Sequence, residues 1–112
     1  MLYHGPLSTQ EYINFLQRFV IVNSYIYYEM NDNAISDMLY DKRAKELVAL
    51  KNRFPDFWKT SEYYEQFGDD YNGATGFTLF HSLNNRQKEI ILAIAYSIMR
   101  RKGEKSNGIQ TD

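Results

Sequence analysis

Two carboxylates and a phenol are spaced so that one face of a helix would carry all three. Asp37, Tyr40 and Asp41 stand at positions i, i+3 and i+4, and residues at these separations lie on the same side of a helix. Tyr27 and Tyr28 precede them, at the end of another apolar segment. Tyrosine faces attract flat cationic rings, and carboxylates accept hydrogen bonds from sugar hydroxyls. The five residues therefore predict a binding site for a cationic ring with attached hydroxyl groups.

A purely structural role is the alternative for the same residues. Asp37 is suited to stabilise a helix N-terminus through the helix dipole, and the tyrosines are suited to a hydrophobic core. Residue types and spacing do not decide between these two interpretations.

Two long helices joined by a short polar turn must position these residues. Ser8 and Glu11 have the spacing of a capping box, which predicts a first helix over about residues 9–30. Asn-Asp-Asn at residues 31–33 predicts the turn, and Ser36 is a suitable N-cap for a second helix over about residues 36–53. A short connection between long helices predicts an antiparallel hairpin, with the five candidate residues near its joint.

Both helices carry an apolar stripe for a core. In the first helix the expected core positions recur at steps of three and four, and they are Tyr12, Phe15, Phe19, Val22 and Ile26, flanked by Ile13, Leu16, Val20 and Tyr27. In the second helix they are Tyr40, Ala44, Leu47 and Val48. The apolar face of the first helix is so wide that other segments must pack against it from more than one side.

The segment after the second helix predicts a break and then a short helix. Because a residue before proline disfavours the helical conformation, Phe54 and Pro55 are expected to end the second helix. Thr60 or Ser61 is suited to cap a short helix near residues 61–67.

The last third of the chain predicts a loop, a core plug and a third long helix. Residues 68–76 contain three glycines and predict a loop, and the apolar residues of segment 77–83 are expected to enter the core. Asn84 with Gln87 predicts the start of a helix over about residues 84–101, and the polar tail from about residue 103 is expected to fray. The expected fold class is all-α, a small domain built on the antiparallel hairpin with a third long C-terminal helix.

Composition favours a single globular domain without a membrane or nucleic-acid partner. The 112 residues are 44% hydrophobic, the formal net charge is −1, and cysteine is absent. This charge gives no global attraction to nucleic acid or anionic lipid, and without cysteine there is neither a disulfide nor a thiolate metal site. No signal peptide and no membrane-spanning apolar run is recognisable. We therefore expect a soluble, cytoplasmic protein.

Other polar clusters are interpreted as structural. Residues 68–73 (GDDYNG) superficially resemble a calcium loop, but their alignment puts a glycine and a leucine at ligand positions. Asp69 and Asp70 suit a turn better than an acid–base pair, and His4 and His81 have no partner at metal-ligand spacing, so no metal is expected. The basic outer face of the second helix is interpreted as solvated, with contact to a phosphate backbone as the alternative.

The candidate residues also belong to a longer pattern. It comprises Tyr27-Tyr28, Ile35-Ser36-Asp37, Tyr40-Asp41, Glu46-Leu47, Leu50 and Phe54-Pro55-Asp56-Phe57. This pattern resembles the small helical N-terminal Ia domain of bacterial NAD⁺-dependent DNA ligases, over about residues 9–57. The resemblance implies that the five candidate residues contact the nicotinamide mononucleotide half of NAD⁺, over which that ligase domain closes.

The resemblance also divides the chain and limits its expected activity. Residues 1–57 would form the ligase-like hairpin, and residues 58–112, which do not resemble the following ligase segment, would form a C-terminal helical extension packed on it as one globular unit. The ligases carry a Lys-x-Asp-Gly motif whose lysine becomes adenylylated, and this tetrapeptide is absent here. We therefore expect no catalytic residues and no DNA ligation by this chain alone.

Three functions remain compatible with the sequence. The first is a non-catalytic module that binds NAD or nicotinamide mononucleotide. The second is a phage-type interaction protein in a bacterial host cell that engages a host ligase or defence protein, with the nucleotide pocket vestigial. The third is an NAD-processing hydrolase, for which the sequence offers no convincing nucleophile or general base.

Overall fold

The computed structural model describes residues 6–73 and 78–111, with side chains described as far as Gly103. Its helices are α1 (Thr9–Glu29), α2 (Asp37–Arg53), α3 (Pro55–Lys59), α4 (Tyr64–Phe67) and α5 (Asn85–Thr111), and a 3₁₀ turn covers Phe80–Ser82. These residues contain no strand, so the all-α prediction is confirmed. No described helix combines the length and apolarity needed to cross a bilayer. The expectations for His4, Gly76 and Phe77 lie outside the described residues.

Polar caps begin α1 and α2 where the sequence predicts. The Glu11 backbone N–H donates to Ser8 Oγ at 3.1 Å, and the Ser8 N–H donates to Glu11 Oε1 at 2.9 Å, which completes the capping box. The Leu39 N–H donates to Ser36 Oγ at 3.1 Å. Each bond satisfies an N–H group that the first helical turn leaves without a partner. The helix starts are therefore fixed by local sequence.

Helices α1 and α2 run antiparallel. The Tyr12 hydroxyl, near the start of α1, donates to Glu46 at 2.6 Å, whereas Ser24, near the end of α1, shares a 2.8 Å hydrogen bond with Tyr40, near the start of α2. Burial, together with the bond to Glu46, raises the pKa of Tyr12 to about 12. The hydroxyl therefore remains a donor at neutral pH and ties the open end of the hairpin.

The buried core draws on both halves of the chain. It includes Ile13, Leu16, Val20, Ile21 and Ile26 of α1, Ala44, Leu47 and Leu50 of α2, Trp58, Tyr63 and Phe67, and Ile91 and Ala95 of α5. The prediction that Phe15 and Tyr27 belong to it is wrong, because they are 48% and 53% exposed. The Phe15 ring instead lies outside the core, at centroid distances of 6.1 Å from the buried Tyr12 and 6.4 Å from Phe19. The apolar arc of α1 is wider than the surface that its neighbours cover.

A short helix that sequence analysis missed, α3, follows the break at once. Proline at its first position suits a helix start, because the N–H that proline lacks would have no helical partner there. Trp58 of α3 is buried, its Nε1 donates to the carbonyl of Gly68 at 3.1 Å, and its ring stacks with Tyr71 at 6.1 Å. The start of the glycine-rich loop is thereby anchored to α3.

A buried amide ties α1 to the segment between α3 and α4. Gln17 Nε2 donates to Ser61 Oγ at 2.7 Å, and Gln17 Oε1 accepts from the Tyr63 N–H at 3.1 Å. The Ser61 hydroxyl in turn donates to the Trp58 carbonyl at 2.6 Å. Helix α4 begins without a side-chain cap, so the prediction that Thr60 or Ser61 caps it is wrong. The Ser61 hydroxyl serves the buried network instead.

Helix α5 begins at the predicted capping pair and packs on α1. The Gln87 N–H donates to Asn84 Oδ1 at 2.8 Å, and the Asn84 N–H donates to Gln87 Oε1 at 3.0 Å. The predicted end near residue 101 is wrong, because α5 continues to Thr111. Glycine inside a helix costs about 1 kcal/mol relative to alanine, but it ends a helix only in the left-handed conformation. Gly103 does not adopt that conformation, so α5 continues through it.

Candidate functional site

A groove of about 530 Å³ opens beside the turn between α1 and α2. Ligand pockets generally measure roughly 300–1,000 Å³. We call it the hairpin groove, and its lining residues are Asn23, Ser24, Tyr27, Tyr28, Asn33, Ala34, Ile35, Asp37, Met38, Tyr40 and Asp41. All five candidate residues lie among them. The fold therefore brings the five together, and their role in binding stays a prediction.

Tyr27 and Tyr28 form the aromatic side of the hairpin groove. They are 53% and 45% exposed, so the core role that was the alternative for them does not hold. Their ring centroids are 4.9 Å apart and their planes meet at 83°. Because one ring meets the other by an edge, a large part of the aromatic surface stays open to a ligand.

Asp37 and Asp41 form the acidic side of the groove. Asp37 lies in the first turn of α2, where a carboxylate also interacts favourably with the helix dipole. It takes part in none of the ion pairs among the described residues. Asp41, one turn later, forms a solvent-exposed ion pair with Lys45 at 3.0 Å. Both side chains remain exposed and can accept hydrogen bonds from a ligand.

Tyr40 lies deeper in the groove than the other four candidate residues. Its ring is half-buried, and its hydroxyl lies 2.8 Å from Ser24 Oγ. The pKa of Tyr40 is raised, because the effect of burial is larger than the opposite effect of the hydrogen bond to Ser24. The phenol is therefore neutral at pH 7, and together with Ser24 it forms a polar inner wall.

The turn that closes one side of the groove is held from the opposite half of the chain. Asn31 adopts a left-handed conformation with φ of 53°, which asparagine tolerates better than most residues. Lys102 of α5 donates to Asp32 Oδ1 at 2.8 Å and to the Asn33 carbonyl at 2.7 Å. The Lys102 bond, with the Asn33 N–H bond to the same carboxylate, lowers the pKa of Asp32. Residues of α5 thus restrain the groove without lining it.

Sequence reasoning missed six residues of the groove: Asn23, Ser24, Asn33, Ala34, Ile35 and Met38. A signal was present for two of them. Asn23 and Ser24 stand four residues before Tyr27 and Tyr28, and residues at that spacing share a helix face. No comparable spacing indicated Met38, which is 81% exposed at the rim of the groove.

The remaining polar clusters have local partners. Lys59 Nζ lies 3.2 Å from Asp69 Oδ2, and the Tyr64 hydroxyl donates to the same carboxylate at 2.9 Å. The bonds from Tyr64 and Lys59 lower the pKa of Asp69. His81 forms a hydrogen bond with Glu29 of α1. These contacts connect loop, helix and 3₁₀ turn, and none of these residues lines the hairpin groove.

Comparison with known proteins gives a local similarity to a DNA ligase. No protein-family model matches the chain, and no solved structure matches it. A DNA ligase of Lawsonia intracellularis is 34% identical over 55 residues, which make up 49% of this chain and 8% of the ligase. The chain therefore spans only a small part of the length of this curated relative. About half of this chain is thus similar to a short segment of a DNA ligase.

Proposed function

We propose that the hairpin groove binds a nicotinamide-bearing nucleotide, either nicotinamide mononucleotide or the corresponding half of NAD⁺. The observation that carries the proposal is the meeting of two exposed tyrosines and two exposed aspartates around one groove. The sequence pattern that resembles the ligase Ia domain, together with the local identity to a DNA ligase, supports the same ligand.

The two sides of the groove complement the two parts of this ligand. The pyridinium ring is flat and cationic, and its contact with Tyr27 or Tyr28 contributes about 0.5–2 kcal/mol. The ribose hydroxyls donate to Asp37 and Asp41, and each hydrogen bond to a charged group contributes about 1.5–3 kcal/mol. The carboxylates also attract the ring charge, which a neutral nucleoside lacks.

The proposed role is binding without turnover. No catalytic group is assigned to the groove, and the Lys-x-Asp-Gly tetrapeptide of the ligases does not occur in the sequence. These residues would sequester or sense the nucleotide, or present it to another protein.

Thermal unfolding with and without nucleotides tests the proposal. A ligand that binds only the folded state stabilises it by about 2.7 kcal/mol at a hundredfold excess over its Kd, which raises the Tm of a domain this size by several degrees. We expect a rise with nicotinamide mononucleotide and with NAD⁺. AMP and ADP-ribose, which lack the nicotinamide, serve as controls and should have no effect. An unchanged Tm with all four compounds at millimolar concentration contradicts the proposal.

A protein-interaction role is the second candidate, and the exposure of Met38 favours it. Met38 is 81% exposed beside Tyr27 and Tyr28, and methionine and tyrosine are enriched in protein interfaces. In this case the chain would engage a host DNA ligase or defence protein through the groove rim, as a phage-type factor. Binding to purified bacterial DNA ligase that is abolished by Met38→Glu, without any nucleotide response, would support this candidate over the first.

A further inference from the structure

A buried asparagine of the hairpin groove offers one hydrogen-bond acceptor. Asn23 lines the groove although it is only 8% exposed. Its Nδ2 donates to the Phe19 carbonyl one helical turn earlier, at 2.9 Å. This bond identifies the donor end of the amide, because a carbonyl oxygen only accepts. Within the described part of the chain Oδ1 has no hydrogen-bond partner, and it is not sealed from solvent.

A hydroxyl pair in the same groove offers one donor. Ser24 and Tyr40 both line the groove, and their hydroxyl oxygens are 2.8 Å apart. Each hydroxyl carries one hydrogen, and a single bond between them uses only one of the two. Whichever group donates within the pair, the hydrogen of the other is left for a third partner. Ser24 is 3% exposed, so bulk water has little access to this pair.

An acceptor and a donor that line the same groove together complement a primary amide. We propose that Asn23 and the Ser24–Tyr40 pair form hydrogen bonds with the carboxamide of the ligand and make the groove specific for nicotinamide over nicotinic acid. This inference rests on the proposed function and names the feature by which the same groove selects its ligand. The ligand NH₂ group donates to Asn23 Oδ1, and the ligand carbonyl accepts from the hydroxyl pair.

The acid analogue meets only one of the two requirements of such a site, because a carboxylate accepts from the hydroxyl pair but has nothing to donate to Asn23. Nicotinic acid mononucleotide has a carboxylate in place of the carboxamide, so it has no hydrogen to donate and leaves Asn23 Oδ1 facing another acceptor. Its extra negative charge also lies in a groove whose rim carries Asp37 and Asp41. A buried group left without its hydrogen bond lowers affinity by roughly 5- to 150-fold. We expect the discrimination between amide and acid to fall in that range.

Calorimetric titration of the full chain with the two mononucleotides tests the inference. The result expected is at least fivefold tighter binding of nicotinamide mononucleotide than of nicotinic acid mononucleotide. Equal affinities would overturn the inference and leave the proposed function standing. Binding of neither nucleotide would overturn the proposed function and the inference with it.

Variants test whether Asn23 discriminates between the two mononucleotides. Asn23→Ala should bring the ratio of the two affinities close to one, whereas a loss of structure alone would weaken both nucleotides alike. Asn14→Ala is the matched control: Asn14 also lies on α1, its side chain accepts from the backbone N–H of Glu62 at 2.9 Å, and it does not line the groove. It should leave the ratio as in the parent, and a ratio unchanged in Asn23→Ala would overturn the assignment.

A spectroscopic measurement on the parent protein covers the case in which Asn23→Ala does not fold. The side-chain amide resonances of Asn23 should shift when nicotinamide mononucleotide is added, and those of Asn14 should not. Binding that leaves the Asn23 resonances in place would overturn the assignment.

Discussion

Replacement of one groove carboxylate separates a binding role from a structural one. Asp41→Asn keeps the shape of the side chain and removes its charge. Its only ion pair among the described residues is with Lys45, four positions along the same helix and exposed to solvent. Such pairs contribute about 0.3–0.5 kcal/mol. The Tm without ligand should therefore fall by only about 1–3 °C.

The expected loss of affinity is much larger than this loss of stability. A hydrogen bond to a charged group contributes about 1.5–3 kcal/mol, and asparagine keeps a neutral acceptor whose bond contributes about 0.5–1.5 kcal/mol. Asp41→Asn should therefore raise the Kd for nicotinamide mononucleotide by roughly 5- to 15-fold. Calorimetric titration gives the Kd, and thermal unfolding without ligand gives the stability of the same sample.

Glu62→Gln provides the matched control for Asp41→Asn. Glu62 forms an exposed ion pair with Arg18 at 2.6 Å, and it does not line the hairpin groove. This variant should lose a similar small amount of stability and keep the parent affinity. Equal affinities of the parent and of Asp41→Asn, with a clear drop in Tm, would show that Asp41 is structural and would refute the reasoning.

Three further predictions concern hydrogen bonds of the fold and of the groove. Gln17→Leu leaves the buried N–H of Tyr63 without a partner, so the free energy of unfolding in urea should fall by about 1–3 kcal/mol; an unchanged midpoint would contradict this. Because burial raises the pKa of Tyr12 from 10.0 to about 12, the protonated phenol stabilises the folded state fully below pH 10, and this contribution is lost as the pH rises towards 12. Between about pH 10 and pH 12 the free energy of unfolding of Tyr12→Phe should therefore fall less than that of the parent. Parallel dependence of the two proteins on pH would contradict the raised pKa of Tyr12. Tyr40→Phe alone should change the affinity for nicotinamide mononucleotide less than threefold, because Ser24 retains a hydrogen to donate, whereas Tyr40→Phe with Ser24→Ala should lower it by roughly 5- to 150-fold. An equal loss in the single and double variants would refute the donor role of the pair.

The hairpin was predictable because its determinants are local. The capping box at Ser8 and the N-cap at Ser36 lie within a few residues of the helices that they start. The end of α2 was predictable because Pro55 disfavours the helical conformation in the residue that precedes it. The exposure of Phe15 was not predictable, because it depends on how much of α1 the other helices cover, and that is a property of the assembled fold.

The site was predictable to the extent that helix geometry brings its residues together. The spacing of Asp37, Tyr40 and Asp41 places them on one face, and all three line the groove. Asn23 was missed although its four-residue spacing to Tyr27 places it on the same helix face, because an asparagine inside an apolar segment does not by itself indicate a cavity. Lys102 was missed because its bond to Asp32 joins residues 70 positions apart, and a contact at that distance follows from tertiary packing alone.

The most direct test of the account is to locate the nucleotide on the protein. Isotopically labelled protein is titrated with nicotinamide mononucleotide while the backbone amide chemical shifts are followed. We predict saturable shifts that concentrate at Tyr27, Tyr28, Asp37, Tyr40 and Asp41, with segment 59–66, which does not line the groove, unaffected. Saturable shifts centred on segment 59–66, or no saturable shift at millimolar nucleotide, would contradict the claim that the hairpin groove is a nicotinamide nucleotide site.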